Sequence, residues 1–445
     1  MKHFLLKGIL LLISMVVFCQ CNKEPENEPL VDITDNLFFN ALLERGVDTD
    51  NDNLISQTEA EAVTFLDVSS FGISNLTGIE NFTSLETLIC SENNLEQINL
   101  SKNIALKTLG INENQLADLN LEYNQNLTRV NCSRNKLINL DISDKKYLTS
   151  LNCEYNLLKS LNISENIALK ELNCYENNLE QLELSTCIAL EKLNCDHNHL
   201  TSLDLTGNIE LNFLDCGFND ISSLTLSKNT NLEYLFCNNN NQLRSLDISN
   251  VSALKDLWCG KADLQVLDVS KNLLLQTLVC SSNKITTLDL SENHNLGALR
   301  CDENLISKLD ISKNEGLSIL FCGQNLLDSI DISNNLELTL LDCWNNTIQN
   351  LDVTKNLKLE SLNCMKTKIK TLDVTQNESL NQLICSETNL EQLNISNNKK
   401  LGLLWLENMP QLNRVCVWVL PFPPNENFEL RADNSPNIYF TDNCD

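Results

Sequence analysis

Between residues 85 and 406 the apolar and polar positions repeat with a fixed step. Two stretches show the pattern, LETLICSENNLEQINLSKNIA from Leu85 and LTSLNCEYNLLKSLNISENIA from Leu148. A cysteine marks the step at Cys90, Cys132, Cys153, Cys174, Cys195, Cys216 and Cys237, then at Cys259, Cys280, Cys301, Cys322, Cys343, Cys364 and Cys385. Ile111 and Leu406 fill the same slot, and the step is 21 residues except for 22 between Cys237 and Cys259, where CNNNNQL carries one extra. Sixteen copies in register predict a solenoid. The leucines point into each coil, and the residues between them alternate outward as a strand requires. An asparagine column (Asn93, Asn114, Asn135, Asn156, Asn177, Asn198, Asn219) follows the strands, where the backbone turns inward and its polar groups need partners. A second column, Asn103, Asn124, Asn166, Asn208, Asn229, Asn272 and Asn293, falls at the other bend. Stacked at roughly 4.8 Å per strand, such a coil makes a rod about 75 Å long.

Each copy reads L-x-x-L-x-C-x-x-N-x-L-x-x-L-D-L-S-x-N-x-x and resembles the leucine-rich repeat, over residues 64–408. The resemblance implies a right-handed solenoid of the α/β horseshoe class, strand-rich with little helix in the repeats. The second half of a unit, such as LKSLNISEN at 158–166, restates the first at about half the period. In this it is similar to a nested bacterial variety of the repeat, whose back is also strand-like.

Ahead of the repeats, DNLFFNALLERG at 35–46 carries an Asp cap, apolar Leu37, Phe38, Ala41 and Leu42 and a closing glycine, which predicts a short helix. It runs into DTDNDNLISQTE, where Asp48, Asp50 and Asp52 take loop positions one, three and five, Ser56 position nine and Glu59 position twelve. That spacing matches a calcium-binding EF-hand loop, with the Leu54 carbonyl as the seventh-position ligand and apolar Ile55 at the eighth. Asn53 stands where glycine is usual, and asparagine tolerates the left-handed backbone needed there. Residues 35–63 are therefore expected to form an EF-hand cap over the first coil, holding Ca²⁺ structurally, since a site in an exported protein meets abundant calcium. TFLDVSSFGISNLTGIENFTSL reads as a degenerate first repeat. Residues 409–445 break the period and are expected to cap the far end, with Cys416 and Cys444 closing a disulfide or remaining two free thiols.

The extreme N-terminus has a short basic start and an apolar run, MKHFLLKGILLLISMVVFCQC, the pattern of a signal peptide (residues 1–20). It resembles a bacterial lipoprotein signal, with Cys21 the favoured lipidated residue and Cys19 the alternative. Residues 21–34 then make an acidic linker, and the Lys23-Glu24 pair resembles the surface-export signal of Bacteroidetes lipoproteins. The resemblance implies an outer-membrane lipoprotein facing outward, held to the membrane by its lipid alone. The chain's formal charge is −28, which makes nucleic acid and anionic membrane surfaces poor partners. Of nineteen cysteines, fourteen share the inward column and are expected to be buried, unpaired packing groups.

The outward positions change character along the chain. One residue before the cysteine, the early coils give Asn131, Asn152, Asn173, Asn194 and Asp215, and the later ones Phe236, Trp258, Val279, Arg300 and Phe321. Three before it come Phe213, Tyr234, Ile319 and Leu340, and one after it Trp344. Together these predict one exposed apolar face, suited to an extracellular protein or glycan ligand unless the tail or a second copy covers it. On the other strand an acid column, Asp247, Asp268, Asp289, Asp310, Asp331, Asp352 and Asp373, needs neighbouring hydroxyls, lysines or amides to offset its repulsion. The chain has four histidines and no H-E-x-x-H, G-x-S-x-G or phosphate-cradling glycine loop, so a non-enzymatic binding protein is expected over a structural envelope protein.

Overall fold

The computed structural model describes residues 28–444; the proposed signal, Cys19, Cys21 and the Lys23-Glu24 pair lie outside them. Helix α1 spans Asn36–Glu44, and Asp35 caps it by accepting from the amides of Leu37 and Phe38. Helix α2 spans Gln57–Ala62 and begins with a capping box between Ser56 and Glu59. From there the chain winds into a strand-rich parallel solenoid. Its main sheet has 18 three-residue strands, from Phe65–Asp67 through Glu429–Arg431, all parallel and in sequence order around the coils. In most of these strands the middle residue is buried and its neighbours face out, as in Tyr234–Phe236 and Ile319–Phe321.

Two asparagine ladders hold the coils in register, and they are not equivalent. In the first, Asn304 Nδ2 donates to the carbonyls of Cys280 (3.0 Å) and Cys301 (3.1 Å), while its Oδ1 accepts from the Ile285 amide of the preceding coil (3.0 Å). The residue before each of these asparagines is left-handed without being glycine, from Glu92 (φ 55°) to Phe218 (φ 43°) and Glu303 (φ 56°). That conformation costs about 1–2 kcal/mol per residue, and the bonds made by the asparagine beside it offset the cost. In the second ladder Asn293 Nδ2 donates to the carbonyls of Val269 and Asn272, but its buried Oδ1 meets no donor among the described residues.

The 22-residue coil shows how the ladder tolerates an insertion. The Leu243 amide bonds to the Asn240 carbonyl within its own turn (2.9 Å), and the ladder slot one coil later holds Ala262 rather than asparagine. The inserted residue and the missing amide compensate each other. At Lys145 a lysine occupies a second-ladder slot, wholly buried and paired with Asp144.

The fourteen column cysteines are all buried and free, as is Cys187. Burial pushes the thiols of Cys132, Cys174, Cys237, Cys280 and Cys385 up to about 12.

The far end differs from the expected separate cap at 409–445. Arg414–Cys416 pairs with Gln392–Asn394 on one side and Tyr439–Thr441 on the other in a three-stranded ladder on the second face, and Glu429–Arg431 extends the main sheet. The solenoid therefore runs on to Thr441. Its last step on the main sheet, from Leu403 to Glu429, is 26 residues long, and the slot after the last strand holds Ala432 in place of the column cysteine. Trp418, Phe422, Phe428 and Phe440 pack their rings together across this longer turn. Cys416 and Cys444 are joined as a disulfide, with Cα atoms 5.5 Å apart. Elsewhere the second face is mostly irregular, with one short strand pair at Leu203–Asp204 and Leu224–Thr225.

Candidate functional site

In the segment expected to bind calcium, Asp48, Asp50 and Asp52 bring carboxylate oxygens within 4.8 Å of one another. The local sequence builds this turn. Asn51 and Asn53 both take the left-handed backbone, at φ 63° and 62°, so Asn53 serves at the position where glycine is usual. The Asp48 carboxylate accepts from the amides of Asp52 and Asn53, and Asp52 accepts from Leu54, which folds the loop around its acids. The Asp52 amide draws Asp50 down, but lost water and the charges of Asp52, Glu59 and Asp48 leave it above the usual carboxylate range. Glu59 spans the loop, accepting from the Thr49 amide and hydroxyl with one oxygen and from Ser56 with the other. Burial alone would raise it, yet these four bonds bring it down to about 2. Ile55 is buried and its carbonyl accepts from Val31, while Gln57 donates to Pro29, so residues 29–31 pair the open edge of the loop. The loop is thus a hard, anionic oxygen cluster with no lysine or arginine paired to it among the described residues.

The outward face carries the second candidate. Along the main sheet the residues before the cysteines lie shoulder to shoulder in the order Asp215, Phe236, Trp258, Val279, Arg300, Phe321, Asp342. Beside them Phe213 pairs with Tyr234, and Ile319 with Leu340. The rings of Phe213 and Phe236 meet edge to face at 5.6 Å, and those of Phe236 and Trp258 at 5.4 Å. Arg300 lays its guanidinium over Phe321 at 4.3 Å from the ring centre. Trp258 remains 44% exposed, the others half-buried against one another, with Arg300 exposed. Trp344 folds back across Gly323, where any side chain would strike its indole. All ten residues expected on this face are there, and no described segment covers them.

Reading the strand alone missed a continuation of this face. Tyr155, Tyr175, His197 and Phe218 form a chain of ring contacts, from 5.1 Å between the tyrosines to a 4.0 Å stack of His197 on Phe218. Arg134 lies over Tyr155 at 4.2 Å. Tyr155, His197 and Phe218 sit on the left-handed residues of the turn, so strand alternation does not say where they point. The signal that could have found them is the column two residues after the cysteine. With these the aromatic stripe crosses ten coils, from Tyr155 to Trp344.

Two carboxylates bracket the apolar part. Burial raises Asp215 to about 6, helped by the charge of Asp196 and opposed by the Gly217 amide and His197. Burial likewise lifts Asp342 above the carboxylate range, with Asp302 adding to it and Asn363, Trp344 and Arg300 working against it. The acid column on the second face is offset as expected. Asp247, Asp268, Asp289, Asp310, Asp331, Asp352 and Asp373 each accept from the amide two residues on, at 2.9–3.0 Å. A surface groove of about 980 Å³ lies on that face between Leu351 and Cys444, lined mainly by polar and charged side chains such as Asp352, Lys370, Asp373, Gln392 and Arg414. Among the described residues no helix is long and apolar enough to cross a membrane.

No protein-family model and no curated protein matches the sequence. Solved structures do. The functional domain of InlJ from Listeria monocytogenes, which includes a cysteine ladder, is 34% identical over 74% of this chain and 72% of that one, with a TM-score of 0.71. A leucine-rich-repeat protein of Leptospira interrogans shares the fold at 22% identity, 80% and 92% coverage and a TM-score of 0.61. So does the leucine-rich-repeat ectodomain of a plant receptor kinase from Arabidopsis thaliana, at 21% identity, 79% and 50% coverage and a TM-score of 0.65. With its 21-residue coils, its paired asparagine ladders and its column of buried thiols, the chain belongs to the leucine-rich-repeat family and carries a cysteine ladder.

Proposed function

We propose that this is a non-enzymatic cell-surface lipoprotein that recognises an extracellular protein through the aromatic stripe. The observation that carries the reading is the unbroken contact from Phe213 through Phe236 to Trp258, continued by Arg300 and Phe321. Each half-buried ring leaves apolar surface in water, and burying it beneath a partner releases roughly 25 cal/mol per Å². Aromatic residues with an arginine at the centre of a patch are the composition of binding hot spots. The rings of Phe213, Phe236 and Trp258 pack edge to face on one another, and the mixture of aromatic, aliphatic and arginine side chains favours a protein; glycan capture is the second reading. Trp258→Ala combined with Phe321→Ala is expected to abolish capture of a protein ligand found by a host-matrix screen and to leave the circular dichroism unchanged. A glycan array run beside the screen separates the two readings, and unchanged capture by the double variant removes the stripe from the mechanism.

The same reading assigns Ca²⁺ to Asp48, Asp50, Asp52, the Leu54 carbonyl, Ser56 and Glu59. Three acids held together without a counter-charge favour a hard divalent cation. Bound there, calcium would tie the loop between α1 and α2 and stiffen the lid on the first coil. The lipid on Cys21 would tether this end to the outer membrane and leave the stripe free toward the exterior.

A further inference from the structure

We infer that the occupant of the stripe is an extended polypeptide segment lying along the solenoid axis, with a cationic side chain at each end of an apolar run. The inference rests on the protein-binding reading and adds the chemistry of the partner. Asp215 stands in register with Phe236 at one end of the apolar column, and Asp342 with Phe321 at the other. A partner that covers these rings must also strip water from the two acids beside them. A carboxylate covered without a cation is a buried unpaired charge, which is strongly unfavourable. Neutral hydroxyls would leave each acid to take up a proton on binding, whereas a cation on the partner keeps it charged and paired.

At each end a glycine lies beside an acid. At the first, glycine at 217 keeps the backbone low, and a side-chain carbon there would meet Asp196 Oδ1 at 3.2 Å. At the second, the Trp344 indole lies across Gly323, with Asp342 Oδ1 beside it, 3.1 Å from where a side-chain carbon on Gly323 would sit. Each end carries a second acid whose charge bears on the first, Asp196 on Asp215 and Asp302 on Asp342. Among the described residues neither Asp215 nor Asp342 forms an ion pair with a lysine or arginine. His197 acts on the first pair and turns its Nδ1 to Asp196 at 3.1 Å; Arg300 acts on the second but is committed to the Phe321 ring.

Six coil steps separate the acids, roughly 29 Å at about 4.8 Å per step. An extended chain rises about 3.3 Å per residue, so the two cations fall about nine residues apart. The stripe is two columns wide, about 7 Å across on strand spacing, narrower than a helix of about 10 Å. Arg300, between the ends, leaves a place for a carbonyl or carboxylate of the segment.

The test is to pan the full chain against a displayed library of random sixteen-residue peptides, then measure the enriched peptides on the wild type, Asp215→Asn, Asp342→Asn and Trp258→Ala/Phe321→Ala. The expected result is enrichment of lysine or arginine about nine residues apart around apolar positions. Each Asn substitution should then weaken binding about tenfold and flatten its salt dependence. Enriched peptides that lack basic residues but lose binding to the double alanine variant overturn the cationic partner and leave the protein-binding face standing. Peptides indifferent to all the variants, or no enrichment, overturn both.

Discussion

The two asparagine ladders differ in one respect that can be measured. Asn304 is 5% exposed and Asn293 fully buried, so their burial is nearly matched. Asn304 donates to the carbonyls of Cys280, Cys301 and Asp302 and accepts from the Ile285 amide. Asn293 donates to two carbonyls and accepts from nothing among the described residues. A net hydrogen bond contributes about 1 kcal/mol, and a buried amide left without an acceptor costs about 1–3 kcal/mol. Asn304→Ala should therefore destabilise its coils by about 3–5 kcal/mol and Asn293→Ala by about 2 kcal/mol. Because each coil of a solenoid contacts only its neighbours, the damage should stay local. The thiols of Cys280 and Cys301 are the built-in probes, since they are buried and can react only when their coil opens. Alkylation resolved by mass spectrometry should accelerate at these two by about a hundredfold or more in Asn304→Ala and about thirtyfold in Asn293→Ala, at about 1.4 kcal/mol per decade. Cys385, several coils away, should be unaffected. Equal acceleration in the two variants would refute the claim that the first ladder's extra acceptor bond matters. Uniform acceleration along the whole column would refute local opening.

Three further outcomes follow from the ends and the core. Adding calcium to protein stripped with EDTA should raise its melting temperature by linkage, worth about 2.7 kcal/mol at a hundred times the dissociation constant, and Asp50→Asn should blunt the shift; absence of any shift in the wild type would dismiss the metal. The column thiols are raised from 9.0 to about 12 or beyond by burial, so the stability they lend is complete below pH 9 and is lost as pH rises toward the folded value. The urea midpoint should accordingly fall above pH 9, by up to about 1.4 kcal/mol per pH unit for each thiol ionised on unfolding; a flat profile would mean the thiols are not shielded as drawn, and Cys280→Ala should shallow the slope. Labelled palmitate should enter the wild type and not Cys21→Ala, while incorporation lost only with Cys19→Ala would move the anchor to that residue.

The strict period made most of the solenoid legible. When one column of Leu, Cys and Asn recurs every 21 residues, stacking is the arrangement that buries every copy, so the outward columns can be read from the text. The face from Phe213 to Trp344 was legible for that reason. The ring chain at Tyr155, His197 and Phe218 was not, because a left-handed turn residue points in a direction that strand alternation does not encode. The last coil was hidden by its 26-residue step, which lacks the column cysteine and packs Trp418, Phe422 and Phe428 instead. Nor does spacing alone reveal that Pro29 and Val31 pair the edge of the acidic loop at 48–59, since that contact depends on where the preceding segment is folded.

The division of labour between columns explains why a binding face can sit on this scaffold with little effect on its stability. The inward leucines and cysteines and the two asparagine ladders make the contacts that hold coil to coil, and these columns persist through both halves of the rod. In the early coils the outward positions satisfy one another, as when Asn131 donates to Asn112 and Asn173 to Glu154. From Phe213 onward the same positions carry rings whose surface stays half in water, flanked by acids that lack a basic partner among the described residues. Residues chosen for the stability of the coil alone would not combine exposed apolar surface with half-buried carboxylates that form no ion pair with a lysine or arginine, because each is unfavourable in the free protein. Both penalties are relieved together by one event, the arrival of a surface that is apolar in its middle and positive at its ends.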